Sequence, residues 1–290
     1  MDPILVTATR GPRALSEIPQ PVAVVQKTQL SRQLPNTVTD LFRNLPGLDV
    51  VGVGVTQGRP QIRGQRGTRI LLLEDGMRLN TFRRQQDFGE LPALVDVNSV
   101  ERVEIVRGPA SVLYGSDAIG GVVNIISQAP QEPGFHGDAT RRYGSVENQR
   151  SGSVNLFGGF GDFTIKAGGT YRTADPYDAP AGDFGSITLE DDTQVRDTGV
   201  EDVSLDFRLG WDPGEGHSTF IRATRYSAEK SGFGGIDPAL YDPGAPEVVI
   251  TYPNQDRIKL SAGYVGEDLG TAFMDRFEVT AYGQDSERDL

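Results

Sequence analysis

The sequence predicts an α+β domain followed by antiparallel transmembrane β-strands. Three observations carry that expectation. Glycine is abundant, 36 of 290 residues, while hydrophobic residues make up only 37%; both suit strands and turns better than a helical enzyme. The texture changes at Gln128-Ala129-Pro130-Gln131-Glu132-Pro133-Gly134, a Pro/Gly linker. Before it lie continuous apolar runs, and after it lie segments that alternate with period two, divided by connections of alternating length.

Composition removes several function classes. With 28 Lys+Arg against 40 Asp+Glu the net charge is −12, so a nucleic-acid partner is not expected. Cysteine is absent, which excludes disulfide scaffolds, thiolate metal sites and cysteine nucleophiles. The two histidines, His136 and His217, cannot build a histidine-rich metal centre. No apolar run reaches the ~20 residues of a transmembrane helix. The opening Met1-Asp2-Pro3 has neither the basic nor the apolar region of a secretory signal. A membrane remains possible through strands, which need only about 9–11 alternating residues each.

In the first half, Thr37 and Asp40 form a capping-box pattern. Val38, Leu41, Phe42 and Leu45 then follow on one face of a short helix, stopped by Pro46-Gly47. Arg69 to Leu73 reads as a strand covered on both faces, and Glu74-Asp75-Gly76 as a tight turn. Val100 to Val106 alternates. Gly108-Pro109 opens a helical turn that ends at Gly115. Val122 to Ile126 is the last strand of this half.

The second half reads as about seven strands. Phe163, Ile165, Ala167, Gly169 and Tyr171 form an apolar or small face opposite Thr164, Lys166, Thr170 and Arg172. Val203, Leu205, Phe207, Leu209 and Trp211 oppose Ser204, Asp206 and Arg208. Ile258, Leu260, Ala262 and Tyr264 oppose Arg257, Lys259 and Ser261. Phe277, Val279 and Ala281 oppose Arg276, Glu278 and Thr280. Weaker versions lie near 136–144, 151–160 and 217–228. Connections near 158–162, 212–217 and 266–275 are short; those at 173–197 and 231–255 are long. A soluble sandwich also gives period-two strands. The alternating loop lengths favour a membrane barrel, and so do Lys, Arg and Asp on the inward face, which a packed core would not accept.

Catalysis is not supported. Gly52-Val53-Gly54-Val55-Thr56-Gln57-Gly58 has Gln where G-x-G-x-x-G needs its last Gly, and reads as a flexible loop. No G-x-S-x-G or H-E-x-x-H occurs, and neither histidine has a matched partner. No cofactor is implied.

The run Val100-Glu101-Arg102-Val103-Glu104-Ile105-Val106-Arg107-Gly108-Pro109-Ala110-Ser111-Val112-Leu113-Tyr114-Gly115-Ser116-Asp117-Ala118-Ile119-Gly120-Gly121-Val122-Val123-Asn124-Ile125-Ile126 resembles the plug-domain signature of TonB-dependent outer-membrane receptors. Ile62-Arg63-Gly64, followed by Leu71-Leu72-Leu73-Glu74-Asp75-Gly76-Met77-Arg78-Leu79-Asn80, matches the family's earlier plug motif. The look is that of cobalamin, haem and siderophore receptors. Asp2-Pro3-Ile4-Leu5-Val6-Thr7-Ala8 is similar to the TonB box, an extended strip suited to adding edge-on to a periplasmic partner strand.

The resemblance implies three segments: a TonB box and N-terminal tail over residues 1–12, a plug over 13–130, and the first part of a barrel over 131–290. Such receptors close 22 strands, so the expectation is a truncated barrel, from a fragment or a gene product cut short. The implied setting is the outer membrane of a Gram-negative-type bacterium. The implied partners are outer-membrane lipid, the TonB protein in the periplasm and a small nutrient ligand, a metal chelate being the expected class. The implied function is import without bond breaking, so not an enzyme. The alternative is a soluble or surface β-rich ligand-binding module without active transport.

The resemblance also implies roles for particular residues. Phe82, Arg83, Arg84, Gln85, Gln86 and Phe88 follow a plug strand where family members touch ligand, and suit an anionic or aromatic chelate. Gln65, Arg66 and Thr68 form a second candidate ligand loop. Arg63 and Arg107 match arginines that pair with barrel glutamates and lock the plug; a salt bridge within the plug, to Glu101 or Glu104, is the plainer reading. No metal site is assigned. The acidic loop 173–202 suits either Ca²⁺ or plain solvation, and it lacks a D-x-D-x-D-G pattern.

Overall fold

The computed structural model describes residues 5–6, 13–52, 56–79, 91–130, 133–185, 187–214, 216–232, 234–237, 240, 244, 251–271 and 274–289. They form two compact units. One comprises Met1–Gln128 with Val195–Thr198 and Gly232–Val249; the other comprises Ala129–Gln194, Gly199–Ser231 and Ile250–Leu290.

The first unit begins with β1 (Leu5–Val6), whose backbone pairs antiparallel with β2 (Arg13–Ala14). Next come β3 (Val22–Gln26), α1 (Lys27–Gln33) and a hairpin of β4 (Leu48–Val51) with β5 (Arg59–Ile62). After these come β6 (Ile70–Glu74), β7 (Met77–Arg78), β8 (Val100–Arg107), α2 (Ser111–Tyr114) and β9 (Gly121–Ser127). The main sheet has the order β3-β8-β9-β6-β7. Its β6–β9 pair is parallel and the rest are antiparallel. Every residue of β6 is buried, as a parallel strand covered on both faces requires. Leu71, Leu73, Val106, Ala110, Tyr114, Ala118 and Val122 pack with Ile18 into one apolar cluster.

Local chemistry accounts for the turns. Asp75 and Gly76 both take positive φ, 52° and 76°, the pattern of a type I′ turn between β6 and β7. The Asp75 carboxylate accepts from Ser127 N (2.9 Å) and Ser127 Oγ (2.8 Å), while Gly76 N donates to Asn124 Oδ1 (3.0 Å). The turn is thereby tied to β9. Gly121 needs to be glycine: a Cβ there would lie 2.5 Å from Val106 O.

Two expectations for this half need amendment. The capping box of Thr37 and Asp40 forms, but Val38–Asn44 winds as a 3-10 helix. Leu45 precedes Pro46 and is held extended (φ −112°, ψ 128°), which ends the element within seven residues. The pattern also misses β3, α1 and the β4–β5 hairpin. Pro21 precedes β3 and Pro60 lies within β5, so both segments look like broken strands in sequence.

The second unit is a meander. Its strands are β10 (Gly134–Gly144), β11 (Gln149–Phe160), β12 (Phe163–Ala174), β15 (Val200–Gly214), β16 (His217–Gly232), β17 (Thr251–Gly266) and β18 (Phe277–Arg288). They form a seven-stranded sheet in sequence order. A small hairpin, β13 (Gly182–Phe184) with β14 (Ile187–Leu189), is inserted between β12 and β15. Strands of 11–16 residues exceed what a sandwich of this size commonly uses. No described helix is long and apolar enough to cross a membrane, which says nothing of crossing by strands.

The sheet is inside-out by soluble standards. Phe163, Ile165, Ala167 and Gly169 of β12 stand opposite Trp211, Leu209, Phe207 and Leu205 of β15. This apolar face is the exposed one: Leu205 is 53% and Leu260 60% accessible. The polar face is buried, with Lys166 at 0% and Asp206 at 8%. That is the arrangement expected where the outer solvent is lipid. Aromatic rings gather at the short-turn end. Phe163 stacks on Trp211 (6.3 Å between centroids), and Tyr264 lies between His217 and Phe277. The opposite end is polar: Glu201 accepts from Tyr171 Oη (2.9 Å) and Lys230 Nζ (2.5 Å).

Candidate functional site

In the first unit, Arg63 and Arg107 converge on one turn. Arg63 and Gly64 have φ of 47° and 77°, and Ile62 and Gln65 exchange backbone hydrogen bonds at 2.9 Å in both directions. This is a type I′ turn, where Asn or Gly is the usual first residue. A left-handed conformation costs a residue with a Cβ about 1–2 kcal/mol. Arg63 N donates to Gly47 O (3.1 Å), and Arg107 Nη1 donates to Pro46 O (2.8 Å). A Cβ added to Gly108 would lie 3.9 Å from Arg63 Nη1, so that guanidinium lies beside the end of β8.

Among the described residues neither arginine forms an ion pair. Glu104, one alternative partner, pairs instead with Arg102 at 2.8 Å. Arg107 Nε is buried without a hydrogen-bond partner. The corner therefore holds the Arg107 guanidinium against a backbone carbonyl and the Arg63 guanidinium beside the end of β8, an arrangement that carboxylates or another anion would complete.

Of the expected TonB box, Leu5 and Val6 form β1; Asp2, Pro3, Ile4, Thr7 and Ala8 lie outside the described residues. So do Phe82, Arg83, Arg84, Gln85, Gln86 and Phe88. Gln65, Arg66 and Thr68 lie together in the connection between β5 and β6. Gln65 closes the turn after β5, and its Cβ would be 2.6 Å from a Cβ on Gly120. Arg66 is exposed, and Thr68 lies in the 3-10 turn Gly67–Arg69. Among the described residues no three His, Asp or Glu side chains are grouped to hold a metal ion, and loop 173–202 offers none.

In the second unit the buried polar face is organised around two carboxylates. Asp206 accepts from Lys166 Nζ (2.7 Å), Arg222 Nε (3.0 Å) and Arg222 Nη2 (2.9 Å). Asp202 accepts from Arg172 Nε at both oxygens (3.1 Å), from Arg172 Nη2, and from Tyr226 Oη (3.2 Å). Each cluster ties β12, β15 and β16 together. Period-two reading finds these charges but not their pairing, because the register that brings them together depends on the length of the long 175–199 connection.

A sheet with an apolar exposed face and a charged buried one, preceded in sequence by a small α+β unit, has the pattern of β-strands built for an apolar outer solvent. Residues 14–122 match the family profile of the TonB-dependent Receptor Plug Domain. Three solved proteins share the fold. The Copper transporter OprC is 17% identical (TM-score 0.71), covering 92% of this chain and 37% of its own. The siderophore receptor PirA from Acinetobacter baumannii is 22% identical (TM-score 0.69), covering 91% and 40%. A mutant ferric enterobactin receptor, PfeA from Pseudomonas aeruginosa, in complex with enterobactin, is 20% identical (TM-score 0.68), covering 93% and 41%. At these identities the likeness is one of fold.

Residues 14–122 thus match the plug-domain profile of that family, and the chain shares the fold of these three proteins over the part it covers. It spans about 40% of the length of the receptors it matches.

Proposed function

We propose that this chain belongs to an outer-membrane receptor that binds a scarce nutrient and imports it to the periplasm with energy from the inner-membrane TonB complex. The nutrient class is a siderophore-iron, haem or cobalamin-type chelate. The carrying observation is the coexistence of a plug-domain unit with a sheet whose apolar face is exposed and whose charged face is buried. A soluble binding module would expose Lys166 and Asp206 and bury Leu205 and Leu260. The proposed segments are a box and tail over 1–12, a plug over 13–130 and barrel strands over 131–290.

Each part then has a task. Asp2 to Ala8 offers an extended strip to the periplasmic partner, and the pairing of β1 with β2 is consistent with a segment ready to act as a strand. Phe82, Arg83, Arg84, Gln85, Gln86 and Phe88 grip the chelate by charge, hydrogen bonds and stacking, with Gln65, Arg66 and Thr68 as a second contact. Arg63 and Arg107 hold the plug through carboxylates on the barrel, where bidentate guanidinium pairing is strongest.

Deleting Asp2 to Ala8, or placing Pro at Leu5, is expected to abolish energised uptake and leave ligand binding intact, because Pro cannot donate to an added strand. Thr7→Ala keeps the backbone donors and should do less harm. Uptake and equilibrium binding are measured on the same cells. Normal accumulation after the deletion rejects the box assignment; loss of binding as well makes the segment part of the plug's fold.

A further inference from the structure

The exposed apolar face of the sheet is not evenly filled. Between β15–β16 and β17–β18 lies a groove of about 460 Å³. Phe207, Ile221 and Leu260 form its walls, while Ala223, Ala262 and Gly283 leave its floor low. The register explains the relief: Phe207 stands opposite Ala223, and Leu260 opposite Gly283, so a large side chain is next to a small one across each strand pair. Phe207, Ala223 and Leu260 alternate with Asp206, Arg222, Lys259 and Ser261, which are buried on the other face.

A guanidinium follows the groove's residues along β16. Arg225 follows Ala223 by two residues on β16, on the same face, and pairs in register with Leu205. Its side chain is largely exposed. Its nearest carboxylate, Asp256 Oδ1, is 3.8 Å away, too far for a hydrogen bond, and that oxygen has no hydrogen-bond partner. Among the described residues Arg225 has only this long ion pair with Asp256, so its donor fork is not engaged in a hydrogen bond.

We propose that this groove seats one acyl chain of a membrane phospholipid whose phosphate rests on Arg225. The charge complements a phosphate diester, which a guanidinium binds through paired N–H donors. The trough supplies what a flat sheet lacks: side contacts along the chain as well as beneath it. The proposal rests on the reading that this face meets lipid.

The test uses the intact protein purified in detergent and titrated with dimyristoyl phosphatidylglycerol or dimyristoyl phosphatidylcholine, with bound lipid counted by native mass spectrometry. One phosphatidylglycerol should be retained at least about fivefold more tightly than further lipids. Filling the floor with Ala262→Leu and Gly283→Leu should remove that single tight site, and Arg225→Gln should weaken it about tenfold. Asp256→Asn should strengthen it, by removing the acid that competes for the guanidinium. Heat-modifiable mobility in gels reports whether each variant still forms its barrel. A folded, inserted groove-filled variant that retains the lipid as wild type does overturns the site. Equal retention of both lipids, unchanged by Arg225→Gln, overturns the headgroup assignment. Failure of the wild type to insert into vesicles overturns the membrane reading itself.

Discussion

The two units bury opposite things. In the plug unit Leu71, Leu73, Ile105 and Val122 are among the buried side chains, and among the described residues the only buried charges are Glu74 and Glu104. In the sheet unit the buried ones are Lys166, Arg172, Asp202, Asp206 and Arg222, and the leucines are outside. The same rule produces both. A side chain goes where its surroundings match it: the first unit is built for an aqueous exterior, and the second for the apolar exterior that the proposed function gives it. Stability follows suit: dispersion and apolar burial hold the plug, whereas backbone ladders and shared carboxylates hold the sheet.

That contrast can be broken most directly at Asp206. Asp206→Ala removes the buried carboxylate that Lys166 and Arg222 share and should cost about 3–5 kcal/mol. Urea unfolding in detergent, followed by the heat-modifiable band, measures it; a loss under about 1 kcal/mol would mean that the cluster is solvated and the polar face is not closed. Next comes the plug's own core. Leu71→Ala, at a fully buried position, should cost about 2–5 kcal/mol. Leu260→Ala, exposed on the sheet, should cost far less, and equal losses at the two sites would erase the distinction between the units.

Charge on the lipid face probes the same contrast from the other side. Leu260→Arg should impair insertion by about 2–4 kcal/mol if the residue lies near the midplane. Refolding yield into vesicles reports it, and unimpaired insertion would take β17 off the lipid boundary. The smallest effect belongs to the polar end. Lys230→Ala removes an exposed contact to Glu201 and should leave stability unchanged within error. A measurable loss there would place that end of the sheet in a drier setting than its exposure indicates.

These contrasts also explain what could be read from sequence. The strands of the sheet announce themselves because one face is uniformly apolar, as in Val203, Leu205, Phe207, Leu209 and Trp211. Period two survives even where Gly169 or Ala262 replaces a larger residue. In the plug, β6 and β9 read correctly because they are apolar throughout. By contrast β3, with Ala23 amid valines and Pro21 before it, carries no clear period, and β5 contains a proline. The arginine corner was legible as two residue numbers, yet its geometry was not. That Arg63 adopts a left-handed turn, and that both arginines reach the Pro46–Gly47 carbonyls, depends on residues about 16 and 61 positions apart coming together. The clusters at Asp202 and Asp206 were hidden for the same reason: alternation assigns a face, and only register assigns a partner.

The order of the strands also sets the order of assembly. Each neighbour in the seven-stranded sheet is the next long strand along the chain, so a growing edge always has its template already in place and the sheet can lengthen one hairpin at a time. The plug has no such sequence of local steps. Its β8–β9 hairpin closes across a short stretch, but β3 must return to β8 from about 80 residues upstream, and β6 must find β9 in parallel across about 50. Loop closure therefore delays the plug's sheet until residues up to Ser127 are available. A ribosome or translocon that releases the chain from its N-terminus would then deliver the first barrel hairpins, β10–β11 and β11–β12, soon after the plug's last strand.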